Sequence, residues 1–336
     1  MHSRASSESI RPPLRCSYHA SHEQFPPSEL LALAVQAEAA GFDGVFCSDH
    51  LQPWAPAQGH AGATWPWLGA ALQATQRVAF STITVPGGWR YHPVVLAQAI
   101  GTLADMFPSR LPWIAFGSGE AINEQLVGAG WPSKAERNER LREGVQVLRA
   151  LLAGERVDHR GPHLRVDGAR VWDRAAVPPR LFGAAVGEPT ARWLGGWADG
   201  LLTLGRDLDH LARVIDAFRE GGGAGKPVHV KLDVAWGQSD GQALHEAHRR
   251  WRYNGLGGDA NTTLRQPEDF EAATSSLRPE DLHAHVLATA DLRRIRAHIE
   301  ACRALGADWV NVHHVGESQP AFIEAFGRDV LPALRA

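Results

Sequence analysis

The sequence predicts an α/β chain closed into a (β/α)8 barrel, a TIM-type fold with insertions in the βα loops. Three observations carry this. Eight short apolar runs recur along the chain, helical patterns lie between them, and the turn after the first run (His19-Ala20-Ser21-His22-Glu23-Gln24-Phe25) contains no glycine. Strands alternating with helices signal βα units and a parallel sheet. The rival, an open doubly wound sheet, prefers fewer strands in this length and a Gly-rich turn after its first strand.

The runs, in order, are Cys16-Tyr18, Gly44-Cys47, Val78-Val85, Trp113-Phe116, Arg180-Ala184, Gly200-Thr203, Val228-Trp236 and Asp308-His313. Ser28 to Ala40 is the cleanest helix: Leu30, Leu33, Ala34 and Ala37 share one face, Pro27 and Ser28 mark the start and Gly41 the stop. Further helices fit Pro93-Met106, Lys134-Leu152, Pro189-Gly195, Asp207-Glu220, Gly241-Arg252, Asp291-Leu305 and Pro320-Leu334. Residues 1–336 read as one barrel domain with two insertions. One is a hairpin-like stretch over 156–176, turning at Gly161-Pro162. The other is a loop-rich stretch over 254–280, which is expected to fold over the barrel mouth. The Gly221-Gly222-Gly223-Ala224-Gly225-Lys226 run is a connection and not a phosphate loop, because Pro227 stands where Ser or Thr is required.

With 34 Lys plus Arg against 37 Asp plus Glu, the net charge is -3, so no basic field favours nucleic acid or anionic lipid. No apolar run reaches the roughly 20 residues of a membrane span, and Met1 to Pro13 lacks an apolar signal core. A cytoplasmic protein acting on a small-molecule substrate is the expectation. Cys16, Cys47 and Cys302 lie far apart without C-x-x-C spacing, so they read as reduced, packed thiols. Twelve Trp against three Tyr is unusual, and some of Trp54, Trp65, Trp67, Trp89 and Trp131 are expected to line a pocket.

In a (β/α)8 barrel the chemistry sits where strands end, so the residues after each run are the ones to weigh. After the second come Ser48-Asp49-His50-Leu51-Gln52-Pro53-Trp54, which bring a carboxylate, an imidazole and an indole to the mouth. Imidazole exchanges protons near neutral pH. Adjacent side chains leaving a strand point different ways, so Asp49 and His50 take separate tasks. After the fourth run, Gly117-Ser118-Gly119-Glu120-Ala121-Ile122-Asn123 lets backbone approach a flat ligand and offers Glu120 as an acid. After the fifth, Ala184-Ala185-Val186-Gly187 enters a helix whose N-terminus suits phosphate, provided Glu188 points away. No metal site is expected, since His313 and His314 face opposite sides of their strand.

Taken in order, Ala20-Ser21-His22-Glu23-Gln24-Phe25, Gly41-Phe42-Asp43, Ser48-Asp49-His50, Gln52-Pro53-Trp54, Arg90-Tyr91-His92-Pro93, Gly117 to Glu124 and Trp197-Ala198-Asp199-Gly200 resemble the luciferase-like superfamily of flavin- and deazaflavin-dependent oxidoreductases. The resemblance covers nearly the whole chain and points to relatives of coenzyme F420-dependent glucose-6-phosphate dehydrogenase. It implies His50 as the base on a substrate hydroxyl, Trp54 packing at the reacting face and Glu120 as proton donor to the ring. It also implies ring or tail contacts from Asp49, Thr84, Ser118 and Asn123, with phosphate received by the backbone of Ala184, Ala185, Val186 and Gly187.

Two departures shape the cofactor and substrate readings. Leu204-Gly205-Arg206-Asp207 and Leu282-His283-Ala284-His285-Val286 lack the cations expected to hold a sugar phosphate. Thr84-Val85-Pro86-Gly87-Gly88 departs from the family's turn at the ring, which favours FMN, with oxygen or an organic acceptor, over F420. The expectation is therefore an FMN-dependent oxidoreductase or monooxygenase, served by a flavin reductase. Alternatives are an F420-dependent alcohol or sugar(-phosphate) dehydrogenase and a non-catalytic flavin-binding protein. A homodimer is expected by analogy.

Overall fold

The computed structural model describes residues 14–335 apart from 89, 129 and 257–259. Eight parallel strands form the wall: β1 Arg15–Ala20, β2 Gly44–Cys47, β3 Ala79–Thr82, β4 Trp113–Gly117, β5 Arg180–Ala184, β6 Leu201–Leu204, β7 Val228–Trp236 and β8 Trp309–His314. Their order is β3-β2-β1-β8-β7-β6-β5-β4. The seam is bridged by Phe80 N–H donating to Arg110 O at 2.7 Å, by Ser81 Oγ donating to Trp113 O at 2.7 Å, and by Val85–Pro86 pairing with Phe116 and Gly117. This is a TIM-type barrel.

Period-2 alternation along the strands divides the side chains between barrel interior and helix-covered outer face. Phe46, Ala79, Trp113, Ala115, Phe182, Leu202 and Trp309 fill the interior on one side. Ser17, His19, Asp233, Asn311 and His313 are buried and polar, and they hydrogen-bond to one another or to neighbours, as buried polar groups require. The three cysteines are buried and unpaired. Among the described residues no helix is long and apolar enough to cross a membrane.

Helices Pro93–Met106 and Lys134–Leu152 have the bounds that periodicity predicts. Three elements differ. The run Val78-Val85 is broken after Thr82: the Ile83–Thr84 peptide is cis, and Pro86, with no N–H to give a ladder, limits the second piece to two residues. The expected helix Pro320-Leu334 is two, Gln319–Asp329 and Leu331–Arg335, because Pro332 cannot continue the backbone ladder. Helix Thr64–Ala74 is absent from the sequence reading, since Trp65-Pro66-Trp67 resembles loop, yet a proline in the first turn is tolerated. A three-residue strand, Leu287–Thr289, also pairs in parallel with the C-terminal end of β7 at Val234 to Trp236.

Within 156–176, Val157–Arg160 pairs antiparallel with Arg165–Ala169. Glu143 secures this hairpin by accepting from Leu164 N–H at 3.0 Å and facing His159 Nε2 at 2.7 Å. Within 254–280 lie the short helices Ala260–Thr263 and Pro267–Ala273. Phe270 of the latter packs edge-on to Trp54, which brings this segment over the mouth.

Candidate functional site at the barrel mouth

His50 leaves the end of β2 as the hub of the mouth. Its Nε2 lies 3.3 Å from Glu23 Oε1 and 3.5 Å from Glu120 Oε2, so carboxylates from the loops after β1 and β4 meet at one ring nitrogen. Its Nδ1 lies 3.1 Å from Asn123 Nδ2 and 3.3 Å from the Gln52 carbonyl. The Trp54 ring stands 4.9 Å away, centroid to centroid. His50 is therefore held from both sides, with Nε2 as the nitrogen turned to the acids.

The two acids differ in state because their surroundings differ. Glu23 is 2% exposed. Burial would raise its carboxyl, but His50, the Ser48 and Ser21 hydroxyls and a backbone N–H together hold it below the usual carboxylate range. Glu120 receives no such set of donors. Burial against the barrel wall raises it, helped by Glu23 and opposed by His50, Arg90 and Asn123, while its one-third exposure at the mouth tempers the rise. The pair thus offers one carboxylate that stays charged and one that keeps its proton further up the pH scale.

Asp49 points away from His50 into a second cluster. Its Oδ1 accepts from the Tyr91 hydroxyl at 3.0 Å and lies 3.5 Å from Arg90 Nη1, while its buried Oδ2 has no partner. Arg90 also donates to the Asp49 carbonyl at 2.7 Å and to both Glu124 oxygens at 3.2 Å. Burial pushes the Glu124 carboxyl up against the pull of Arg90. The turn at Gly119, φ 78°, admits this packing, since a Cβ there would lie 2.6 Å from Glu124 Cγ.

The remaining expected site residues fall around the same rim. Thr84 lies beside Gly117, where an added Cβ would meet its Oγ1 at 3.0 Å. The Ser118 hydroxyl accepts from Lys134 Nζ at 2.5 Å. Asn123 is buried with its amide committed: Oδ1 accepts from Leu51 N–H at 2.9 Å, and Nδ2 faces His50 and Glu120. Its side chain thus lies against His50 and Glu120 at the mouth. In the turn after β5, Ala185 N–H already donates to Leu202 O at 3.0 Å, so its backbone is not available to a phosphate as expected. Val186 and Gly187 stand at the N-terminal end of helix Glu188–Gly195, and Ala184 ends β5. Glu188 is drawn off by Arg213 at 3.1 Å.

Sequence reasoning assigned no role to several residues that the fold brings here. Glu23 and Arg90 lie inside quoted motifs, and their spacing from His50 and Asp49 carries no sign of contact. Behind Glu23, Gln24 Oε1 meets His313 Nε2 at 2.8 Å, and His313 Nδ1 meets Asp233 Oδ1 at 2.8 Å. Lys231 pairs with the same carboxylate. His314 turns to the other face and stacks on Phe322 at 4.5 Å. Of the tryptophans, Trp54 lines the mouth, whereas Trp67 is 5% exposed in the outer core with its Nε1 donating to Pro27 O at 3.1 Å. Trp89 lies outside the described residues.

A flat heteroaromatic ring with an anionic tail fits this mouth. Leu51 and Val186 on the loops and Leu204 at the end of β6 are exposed apolar side chains, and the buried Asp49 Oδ2 lacks the donor such a ring would bring. The sequence pattern of the luciferase-like monooxygenase family matches residues 11–308. The chain belongs to this family. An F420-dependent glucose-6-phosphate dehydrogenase of Beutenbergia cavernae is 37% identical over 336 residues, covering 96% of this chain and 98% of the relative. Its counterpart in Nakamurella multipartita is 36% identical over 337 residues, covering 97% and 98%.

Among solved structures, an F420-dependent secondary alcohol dehydrogenase in complex with an F420-acetone adduct superposes with a TM-score of 0.90 at 28% identity. It covers 97% of this chain and 100% of that one. The oxygenating constituent of 3,6-diketocamphane monooxygenase of Pseudomonas putida, in complex with FMN, shares the fold at a TM-score of 0.69 and 17% identity, covering 96% and 99%. This member of the luciferase-like family is therefore an oxidoreductase. Its near relatives carry F420 in their names, and FMN enters only at the level of shared fold.

Proposed function

We propose that the protein is an F420-dependent dehydrogenase that oxidises an alcohol lacking a phosphate group. The observation that carries the reading is His50 Nε2, 3.3 Å from a Glu23 held below the usual carboxylate range and 3.5 Å from a Glu120 that burial raises. The naming of its near relatives and of the 28% identical structure supports F420 over the FMN favoured by the sequence. When bound, F420 supplies the hydride acceptor.

His50 Nε2 takes the hydroxyl proton of the alcohol, and the Glu23 carboxylate offsets the positive charge that then forms on the imidazole. With Nε2 as the base, Nδ1 carries the ring hydrogen and donates to the Gln52 carbonyl at 3.3 Å, which keeps the ring from turning, and Trp54 with Phe270 covers the substrate side against water. Glu120, its carboxyl raised by burial, would supply the proton that a reduced cofactor takes up. Asp49, through the unpartnered Oδ2, and the turn Val186-Gly187 would hold ring and phosphate respectively. On the substrate side, Lys231 is neutralised by Asp233 and Arg206 donates to the His283 carbonyl at 2.6 Å, a set ill suited to a sugar phosphate.

The test is reduction of F420 by secondary alcohols in parallel with glucose 6-phosphate. Turnover with an alcohol and none with the sugar phosphate is expected. Efficient glucose 6-phosphate oxidation would overturn the substrate class, and turnover with FMN alone would overturn the cofactor.

A further inference from the structure

On the rim beside Ser118, outside the His50 cluster, two cations share one helical face and have no counter-charge among the described residues. Helix Lys134–Leu152 opens with the Ser133 hydroxyl accepting from Glu136 N–H at 3.3 Å. Lys134, in its first turn, reaches to the Ser118 hydroxyl. Arg137, one turn on, is 4% exposed, and its guanidinium carbon lies over the Trp131 ring, 4.1 Å from the centroid. Arg137 Nη1 donates to the Pro132 carbonyl at 2.8 Å, while its buried Nε has no partner. Trp131 in turn donates to Thr262 O at 2.8 Å, which ties the place to the 254–280 insertion.

Two other arginines of the same helix have acidic partners: Arg140 pairs with Glu136 at 2.6 Å and Arg149 with Asp199 at 2.7 Å. Among the described residues no carboxylate lies within 4.0 Å of Lys134 or Arg137, and burial together with Arg137 lowers the Lys134 pKa. A buried guanidinium without a counter-ion is costly, and an anion at this helix end would relieve that cost with help from the helix dipole.

We propose that Lys134 and Arg137 form an anion subsite on the rim, floored by Trp131 and Ser118, which takes a carboxylate or phosphate group. The anion is either part of the acidic tail of a bound F420 or a separate group, such as that of a substrate. The first source rests on the F420 reading, and the subsite itself does not.

Full-length wild type, Lys134→Gln and the charge-restoring Lys134→Arg are titrated with F420 and with its tail-free deazaflavin chromophore, and each is melted with and without inorganic phosphate. A charge-assisted contact of roughly 1.5–3 kcal/mol predicts a loss of about tenfold or more. If the tail is the occupant, K134Q weakens F420 by that factor, spares the tail-free chromophore, and is rescued by K134R. If a separate anion is the occupant, K134Q leaves both chromophores alone but abolishes the phosphate-induced rise in Tm. Equal F420 affinity and equal phosphate response in all three proteins overturn the subsite. Failure of the wild type to bind either chromophore sinks the F420 reading alone, because the phosphate arm still decides the subsite.

Discussion

Replacing Glu23 with Gln removes a charge and almost no volume, so its effect on rate isolates the electrostatic task given to that carboxylate. Glu23 is 2% exposed and lies 3.3 Å from His50 Nε2. The Gln amide oxygen can still accept from the Ser21 and Ser48 hydroxyls, so the loop after β1 keeps its anchors. What is lost is the counter-charge to an imidazolium formed in the reaction, worth roughly 1.5–3 kcal/mol as a charge-assisted hydrogen bond. At about 1.4 kcal/mol per factor of ten, kcat/KM should fall about 10- to 100-fold. The pH dependence of kcat/KM should change as well, because the carboxylate facing His50 Nε2 is gone. F420 reduction followed across pH gives both readouts, with Tm as a control for folding. An unchanged pH profile and a rate within about twofold of wild type would refute the assignment of Glu23 to His50.

Three further outcomes are expected. Glu120, whose carboxyl is raised by burial, keeps its proton above the ordinary carboxylate range, so proton delivery should be full at the acid end and fail as pH rises through that raised value. Glu120→Gln should lower kcat and abolish this basic limb in a pH–rate series. Asp233→Asn leaves the buried His313 and the part-buried Lys231 without their shared carboxylate and should cost about 3–5 kcal/mol in urea unfolding. Burial would raise Asp233, but Lys231 and His313 hold it well below its ordinary value. Its stabilising effect is therefore present above the unfolded carboxylate range and lost as pH falls through the native value, and the variant should show a flatter acid limb of stability. Gly195→Ala would set a Cβ 2.3 Å from Phe218 O between two helices and should cost roughly 1–3 kcal/mol, read as a lower Tm.

The barrel was legible because its signals are local. Apolar runs and a 3.6-residue period locate strands and helices, and strand ends locate the mouth without knowledge of any contact. His50, Trp54 and Glu120 were found this way, and they do converge. What escaped depends on the closed wall. Glu23 and His50 are 27 residues apart and meet only because β1 and β2 are neighbours. The Asp233–His313–Gln24 chain joins β7, β8 and the loop after β1 across most of the sequence. Helix Thr64–Ala74 hid behind Trp and Pro, whose local signal is that of a loop. Asn123 and Ala185 lie beyond or at the ends of β4 and β5, and the hydrogen bonds they have already made cannot be read from their position in the chain.

The most direct test of the account is the anaerobic reduction of F420 by a secondary alcohol, run with wild type and His50→Ala at matched F420 saturation established by fluorescence titration. The account predicts that both proteins bind F420 with similar affinity, that wild type reduces it, and that His50→Ala does not. Undiminished reduction by His50→Ala, or tight binding of FMN with none of F420, would contradict it.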